Sequence, residues 1–434
     1  MSLDGSPYQG YLYAYPHKTA YRLLEPRPRL SEVWANEPTS SLFAYVHIPF
    51  CEIRCGFCNL FTRTRPPAEQ VTAYLAQLER QARAVRDALG GQPSFARLAI
   101  GGGTPTYLSA PELRQLFAII GETLGASAIP ATVETSPATA TPDRLAVLAE
   151  HGVTRVSIGV QSFLESEARA AVRPQKPSEV QSALETIRAG DVPSLNLDLI
   201  YGIDGQTRES WQQSLTQALS WRPEEIFLYP LYVRPLTGLG RRAATIADWD
   251  TQRLELYRHA VDVLEDAGYV QDSMRQFRRA DAPADDAPDY TCQDDGMVGL
   301  GCGARSYTRD LHYSFDYAVS VPQVRAVIED YIERPADDFR YAEFGFHLDE
   351  GEQRRRWLVK SLLRADGIDA AAYRARFGTR HDEDFPQLPE LAERGWLEPG
   401  LERLTADGLA RSDAIGPWLV SGPVRAAMAA HTLR

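Results

Sequence analysis

Cysteine is scarce in this chain, with five in 434 residues. An odd handful in so long a chain excludes a disulfide framework and points to reduced thiols or a metal. Long hydrophobic runs are missing as well: no window approaches the roughly 18 apolar residues that would span a bilayer. The opening "MSLDGSPYQGYLYAYPHK" has no basic segment followed by an apolar one, so no secretory signal is read there. Positive charge is in deficit, with 46 basic against 58 acidic residues and a net charge of −12. That balance argues against a broad nucleic-acid or membrane-surface partner. The expectation is a cytoplasmic protein with neither partner, long enough for two or three domains.

What is present is organised in sequence order. Residues 1–40 are rich in Tyr and Pro without a sustained period, and read as an arm laid over another domain. From Leu42 short apolar strands alternate with amphipathic helices. The strands are "LFAYVHI", "FARLAI", "ATVET", "TRVSIGV", "SLNLDLIYG" and "EEIFLYPLYV". Between the first two, Val71, Leu75, Leu78, Ala82, Val85 and Leu89 recur at helical spacing before Gly90-Gly91. The helix over "APELRQLFAIIGETLG" follows, and "TPDRLAVLAEHG" opens with Thr141 as an expected N-cap. Six strand–helix units imply a parallel sheet covered by helices, an α/β partial (β/α)6 barrel over residues 41–275. Its active site belongs at the C-terminal strand ends, where "HIPFC", "GGGTP", "ETSP", "VQSF" and "DLIYG" fall. Residues 276–345 read as a connecting region packing on the barrel. Residues 346–434 read as a small winged-helix-like domain, with a hairpin about Pro399-Gly400 and "RRRW" (354–357) as a solvated helix face with Trp357 inward.

Three of the five cysteines lie within eight residues, Cys51, Cys55 and Cys58, on the loop after the first strand. Thiolates suit iron–sulfur clusters, and three leave one iron of a 4Fe-4S cube open. The alternatives are coincidental thiols or a zinc site lacking a visible fourth ligand. His47 could complete the latter, at an unusual spacing.

C-x3-C-x2-C after the first strand of a βα barrel resembles the radical S-adenosylmethionine superfamily. "YVHIPFCEIRCGFC", "GGGTPTYL", "RVSIGVQSF" and "LNLDLIYGIDGQT" resemble one branch of it, the oxygen-independent coproporphyrinogen III oxidase family. That branch also holds haem-degrading enzymes, haem chaperones, radical methyltransferases and cyclopropanases. The likeness runs over about residues 41–310. It implies a 4Fe-4S cluster on the three cysteines, metal ligands all, with S-adenosylmethionine on the open iron. Reduction of the cluster then cleaves the cosubstrate to methionine and a 5′-deoxyadenosyl radical, which abstracts hydrogen from a small organic substrate. It further implies a one-electron reductant such as flavodoxin or ferredoxin, and a monomer.

The resemblance also assigns cosubstrate residues. Carbonyls of Gly101, Gly102 and Gly103 and the carboxylate of Glu134 suit the ammonium. Gln161 and Asp198 suit the ribose hydroxyls. Arg173 would pair with the carboxylate. Phe57 would lie against the adenine, or else anchor its loop. Tyr45, the one residue given a catalytic part, reaches the sulfonium region. Gly103, Thr104 and the backbone near Leu231 match contacts to a second S-adenosylmethionine found in some members.

The chain departs from its relatives at two places. Leu60 stands where the oxidases carry another cysteine, which weighs against porphyrinogen decarboxylation. "CQDDGMVGLGCGA" lacks the His–Asn and Tyr–Trp pairs of the haem chaperones. The preferred outcome is methyl or methylene transfer or another carbon–carbon bond-forming step; the alternatives are oxidative decarboxylation of a porphyrinogen-like substrate, or a haem chaperone with a non-catalytic cluster. Cys292 and Cys302 read as buried thiols. The arm tyrosines with His17 and Lys18 read as a lid, and "PLYVRPLTG" and the loop near Arg305 as substrate-facing.

Overall fold

A computed structural model of the chain describes residues 2–240, 249–283 and 296–432. Six parallel strands form its centre: β1 (Leu42–Ile48), β2 (Phe95–Gly102), β3 (Ala131–Thr135), β4 (Val153–Gln161), β5 (Ser194–Tyr201) and β6 (Glu225–Pro230). They pair in sequence order, each parallel to the next. Right-handed crossovers that always step the same way leave the helices on one face and curl the sheet towards a barrel. The helices are α1 (Ala68–Leu89), α2 (Ala110–Ala118), α3 (Pro142–Glu150), α4 (Pro177–Ala189), α5 (Arg208–Ser220) and α6 (Trp249–Asp266). The first strand is apolar almost throughout, and in β1 only Tyr45 is less than buried. Helix α1 buries the predicted Val71, Leu75, Leu78, Ala82, Val85 and Leu89 and stops at Gly90, whose φ is 62°.

Several local expectations are corrected. Thr141 makes no side-chain cap to α3; its hydroxyl donates to Asp143 at 2.5 Å instead. The helix read through residue 125 is α-helical only to Ala118, and continues as a wider turn, Ile119–Leu124, closed by Gly125. Arg356 of "RRRW" is buried at 7% exposure with its guanidinium 5.5 Å from the Tyr307 ring centre. Trp357 does turn inward, edge-on to Tyr373.

The sheet grows beyond six strands on both edges, to thirteen among the described residues. Gln276–Arg279 and then Tyr269–Gln271 add antiparallel to β6. On the far side Met297–Leu300 runs parallel to β1. Arg305–Tyr307, Leu311–Ser314, Phe344–His347 and the arm's Arg22–Leu23 follow antiparallel. The C-terminal region is helical, with its own core about Leu358, Leu362, Tyr373, Leu391 and Ile415. Leu397 and Leu404 bridge antiparallel across the turn that holds Pro399-Gly400. No helix among the described residues is long and apolar enough to cross a membrane.

The arm joins these parts. Leu3 lies in the C-terminal core, while Ala14 and Tyr13 pack with Phe43, Met297 and Tyr45 of the barrel. Arg275 and Asp413 form an ion pair at 2.5 Å, with side-chain exposures of 5% and 2%. Tyr232 donates to the same carboxylate. The Tyr11 ring stacks 3.7 Å from the guanidinium, and the Gly10 N–H donates to the Asp413 carbonyl at 3.0 Å. Removing one partner strands the other charge without water. Asp413→Ala is therefore expected to destabilise the protein by about 3–5 kcal/mol in chemical denaturation, and Arg275→Met/Asp413→Leu by less. Equal losses in the two variants would contradict this.

Candidate cluster and cosubstrate site

The cysteine loop leaves β1 and is closed by a short parallel ribbon, Phe50–Cys51 against Arg63–Thr64. The Arg65 N–H donates to the Cys51 carbonyl at 3.0 Å, and the Cys58 N–H to the Cys55 carbonyl at 3.1 Å. From the barrel side, the Gly56 N–H reaches the Ala171 and Val172 carbonyls at 3.2 Å, and its carbonyl accepts from Leu239 at 2.7 Å. Cys51 is buried, and Cys55 and Cys58 are half-buried. Burial pushes the Cys51 thiol up to about 12 and raises that of Cys58. Thiolates at such positions need positive charge beside them.

Among the described residues, no three His, Cys, Asp or Glu side chains converge tightly enough for a single metal ion. A mononuclear zinc site is not formed. His47 is committed elsewhere: its Nε2–H donates to the Phe61 carbonyl at 3.0 Å, and Nδ1 faces the Tyr45 hydroxyl at 3.4 Å. Burial holds this ring down to about 4, so it is neutral. Three thiols on one loop, one buried and two half-buried, with the imidazole committed elsewhere, fit a cluster of several irons.

The glycine run at the end of β2 lies against this loop. The Gly103 N–H donates to the Ile48 carbonyl and the Thr104 N–H to the Phe50 carbonyl, both at 2.8 Å. The Thr104 hydroxyl is 3.5 Å from the Cys51 sulfur. A Cβ on Gly103 would sit 2.9 Å from that sulfur. Gly102 has φ +116°, and a Cβ there would meet the His47 ring at 2.6 Å.

Glu134 and Asp198, predicted at strand ends, stand near enough for the Asp198 carboxylate to act on that of Glu134. Glu134 accepts from the Gly102 N–H at 3.1 Å. Enclosure, reinforced by the Asp198 carboxylate, pushes Glu134 up to about 7. Asp198 accepts from Asn196 Nδ2 at 2.7 Å and Ser157 Oγ at 3.4 Å. Burial nonetheless raises it to about 6. Two enclosed carboxylates favour a cationic guest, which suits the ammonium and sulfonium of S-adenosylmethionine. Gln161 is buried at φ +68°, where the β4–β5 register slips between Gly159 and Gln161. Arg173 spans the gap to the loop: Nη1 lies 3.1 Å from the Cys55 sulfur and Nη2 2.5 Å from the Gly159 carbonyl.

Phe57 packs with Ala171, Ile200, Ile203 and Leu231, which anchors the loop while leaving the ring half-buried. The Leu231 backbone is engaged inside the protein, its N–H on Tyr201 and its carbonyl on Arg253. Tyr45 points into a cluster with Tyr13, Phe43 and Met297. Leu60 is 48% exposed. Cys302 is buried, 4.0 Å from the Tyr74 hydroxyl, with its thiol raised to about 12, an inert core position. Cys292 lies outside the described residues.

Sequence reasoning missed four supports. Asn196 and Ser157 hold Asp198, and Asn196 donates to Ser157 at 2.7 Å. The two-residue strand period, which sets Asn196 and Asp198 on one face of β5, could have found the first. Gln175 accepts from Arg173 Nε at 2.7 Å and donates to the Val160 carbonyl at 2.7 Å, so it sets the arginine's direction. His47, as a spacer between Gly102 and Gly303, carried no sequence signal.

The radical SAM superfamily profile matches residues 45–218. The haem chaperone HemW of Bacillus subtilis is 30% identical over 360 residues, spanning 82% of this chain and 92% of that one. The oxygen-independent coproporphyrinogen III oxidase of Pseudomonas aeruginosa is 29% identical over 397 residues, spanning 86% and 81%. Among solved structures, coproporphyrinogen III oxidase (HemN) from Escherichia coli superposes with a TM-score of 0.78 at 24% identity, covering 94% of this chain and 96% of that one. The chain belongs to the radical SAM superfamily, in the family of the oxygen-independent coproporphyrinogen III oxidases and HemW. The cofactors of that superfamily are a 4Fe-4S cluster and S-adenosylmethionine.

Gly102→Ala tests the close packing of the site. An added methyl in a left-handed backbone against His47 should cost about 1–3 kcal/mol and lower the iron bound after anaerobic reconstitution. Wild-type stability and iron content together would refute the crowding described here.

Proposed function

We propose that the chain is a radical SAM enzyme that abstracts hydrogen from a small organic substrate, with methyl or methylene transfer the preferred outcome. The observation that supports the reading is Arg173 on the Cys55 sulfur, with Glu134 on the adjoining glycine run and Asp198 near enough to act on Glu134. When bound, the cluster supplies the electron that cleaves S-adenosylmethionine to a 5′-deoxyadenosyl radical. The chain's own residues bind and orient. Cys51, Cys55 and Cys58 hold the iron. Glu134 and the glycine carbonyls take the ammonium, Gln161 and Asp198 the ribose, and Phe57 the adenine. Arg173 turns from the Cys55 sulfur to the cosubstrate carboxylate. Tyr45 faces the sulfonium, and the arm tyrosines exclude water. Gly103 and Thr104 are offered to a second S-adenosylmethionine, while the Leu231 backbone is already spent on Tyr201 and Arg253.

Leu60 supports a substrate other than a porphyrinogen, since the oxidases place a cysteine there. A haem-chaperone role is the second reading, favoured by the 92% coverage of HemW. Haem titration separates the two: tight stoichiometric haem binding with no 5′-deoxyadenosine would support the chaperone.

With the cluster reconstituted and reduced by dithionite, S-adenosylmethionine should yield 5′-deoxyadenosine. Its absence, with a 4Fe-4S cluster confirmed spectroscopically, overturns the enzyme. Cys55→Ala is expected to lose both the brown colour and the cleavage, and survival of both would remove that cysteine from the ligand set. Cosubstrate binding should also depend on pH. The ionised Glu134 is the attracting form, and its proton is held up to about 7. Affinity should therefore fall by up to about tenfold as pH drops from about 7.5 to about 6, and Glu134→Gln should flatten the profile. An identical slope in that variant, measured by calorimetry, would assign the titration elsewhere.

A further inference from the structure

The proposed reaction needs one electron delivered from outside, and the chain is acidic overall. The surface beside the cysteine loop has the opposite character. The loop emerges at Asn59 and Leu60, both exposed. Leu60 is 48% exposed and Val321 40%, two of the few large apolar side chains left to solvent among the described residues. They belong to one face. Arg54 bridges the loop to the segment before Val321, donating to the Cys58 carbonyl at 3.4 Å and the Val319 carbonyl at 2.7 Å. The Tyr317 hydroxyl donates to the Asn59 carbonyl at 3.2 Å. The helix Val321–Glu333 packs on the Arg63–Thr64 strand that closes the loop.

Four arginines lie on the cysteine loop, the strand that closes it and the helix packed on that strand: Arg54, Arg63, Arg65 and Arg325. None forms an ion pair among the described residues, where their hydrogen bonds go to carbonyls and to Gln70. Arg63 stands near enough to Arg325 to feel its charge, with Glu329 the acid beside them. Acids stand among them, Glu52 and Asp316 half-buried and Glu69 exposed, and Lys18 adds a cation over the Tyr317 ring. Arginines without ion pairs, beside two exposed apolar side chains and a cysteine ligand, make a basic and sticky patch on a chain of net charge −12. Like-charged arginines side by side are stabilised by an anionic surface laid over them.

We propose that this face, centred on Leu60 and Val321, docks a small acidic one-electron carrier protein. The proposal rests on the radical SAM reading above. With the cluster held by Cys51, Cys55 and Cys58, one electron would pass to it from the carrier's reduced flavin or iron–sulfur centre, and no atom would be transferred. Leu60 then has a use of its own: the position that bears a cysteine in the oxidases becomes an apolar contact.

The test uses the reconstituted protein with a flavodoxin and a ferredoxin as probes. Binding of each oxidised carrier is measured by calorimetry at two ionic strengths. At least one carrier should bind, more weakly at higher salt. Arg63→Glu/Arg325→Glu should raise its dissociation constant by about tenfold or more, with the circular dichroism spectrum unchanged. Arg63→Gln/Arg325→Gln, a milder change that keeps the fold if the reversal does not, should fall between. Dithionite needs no docking, so dithionite-driven formation of 5′-deoxyadenosine should be equal in all three proteins. Failure of both carriers to bind, or an unchanged dissociation constant in the variants, overturns the docking face. So does a changed mass in gel filtration, which would mark the face as a contact between copies. Failure of dithionite-driven cleavage in the wild type indicts the enzymatic reading instead, and leaves the carrier affinities to be read independently.

Discussion

The buried ion pair between Arg275 and Asp413 is the contact on which the arrangement of the molecule turns. Two charges out of water are tolerable only where geometry and hydrogen bonds complete them. Here the completing groups come from four places. Arg275 lies beside β6 and holds the Leu228 N–H with its own carbonyl at 2.9 Å. Asp413 belongs to the C-terminal helices, Tyr232 follows β6 at the barrel mouth, and Tyr11 with Gly10 comes from the arm. Each element satisfies a charge that the others would leave exposed to an apolar core. The arm is thereby pinned to both the barrel and the C-terminal helices, instead of trailing from them. The site beside the cysteines is enclosed in its own right, through the burial of its thiols and carboxylates.

Within that enclosure the electrostatics run in the opposite direction. Cys51, Cys58, Glu134 and Asp198 are all pushed towards their neutral forms by burial. Without guests the site disfavours its own anions. Iron beside the thiolates and an ammonium beside the carboxylates each remove that penalty. Whatever binds the folded site and not the unfolded chain adds to stability by mass action, so cluster and cosubstrate are expected to be structural as well as chemical components. Arg173 links the two halves, because its guanidinium touches a cysteine sulfur on one side and the β4 backbone on the other.

The sequence was most legible where the physics is local. Near-continuous apolar runs of five to nine residues identified all six central strands, and the helical period named the buried face of α1 residue by residue. The cysteine spacing needed no tertiary information. What escaped was set by contacts distant in the chain. The strands Arg305–Tyr307 and Leu311–Ser314 are too short to show an alternation, so the growth of the sheet past its sixth strand had no visible sign. Arg356 sits in a run of arginines that reads as solvated, and only the fold brings the Tyr307 ring, 49 positions earlier, over it. Gln161 was placed by its motif, but its left-handed backbone and the register slip beneath it belong to the pairing of β4 with β5.

The same division separates what this protein shares with its relatives from what is its own. The groups offered to the cluster and cosubstrate stand on strand ends and one loop between residues 45 and 231, held by a sheet whose geometry hardly depends on surface sequence. The groups facing the remaining space come from elsewhere. Arg305 donates to the Tyr13 hydroxyl at 2.9 Å, and the Lys18 ammonium stands 3.6 Å from the Tyr317 ring centre. Arg234 stacks on Tyr232 at the barrel mouth. Arm, edge strand and post-β6 loop can each change without disturbing the parallel core. A chaperone and an oxidase at nearly equal distance from this chain, 30% and 29% identical, are what such an architecture allows. The residues matched to cluster and cosubstrate belong to the parallel scaffold, whereas Arg305, Lys18 and Arg234 belong to three segments that meet only when the chain is folded.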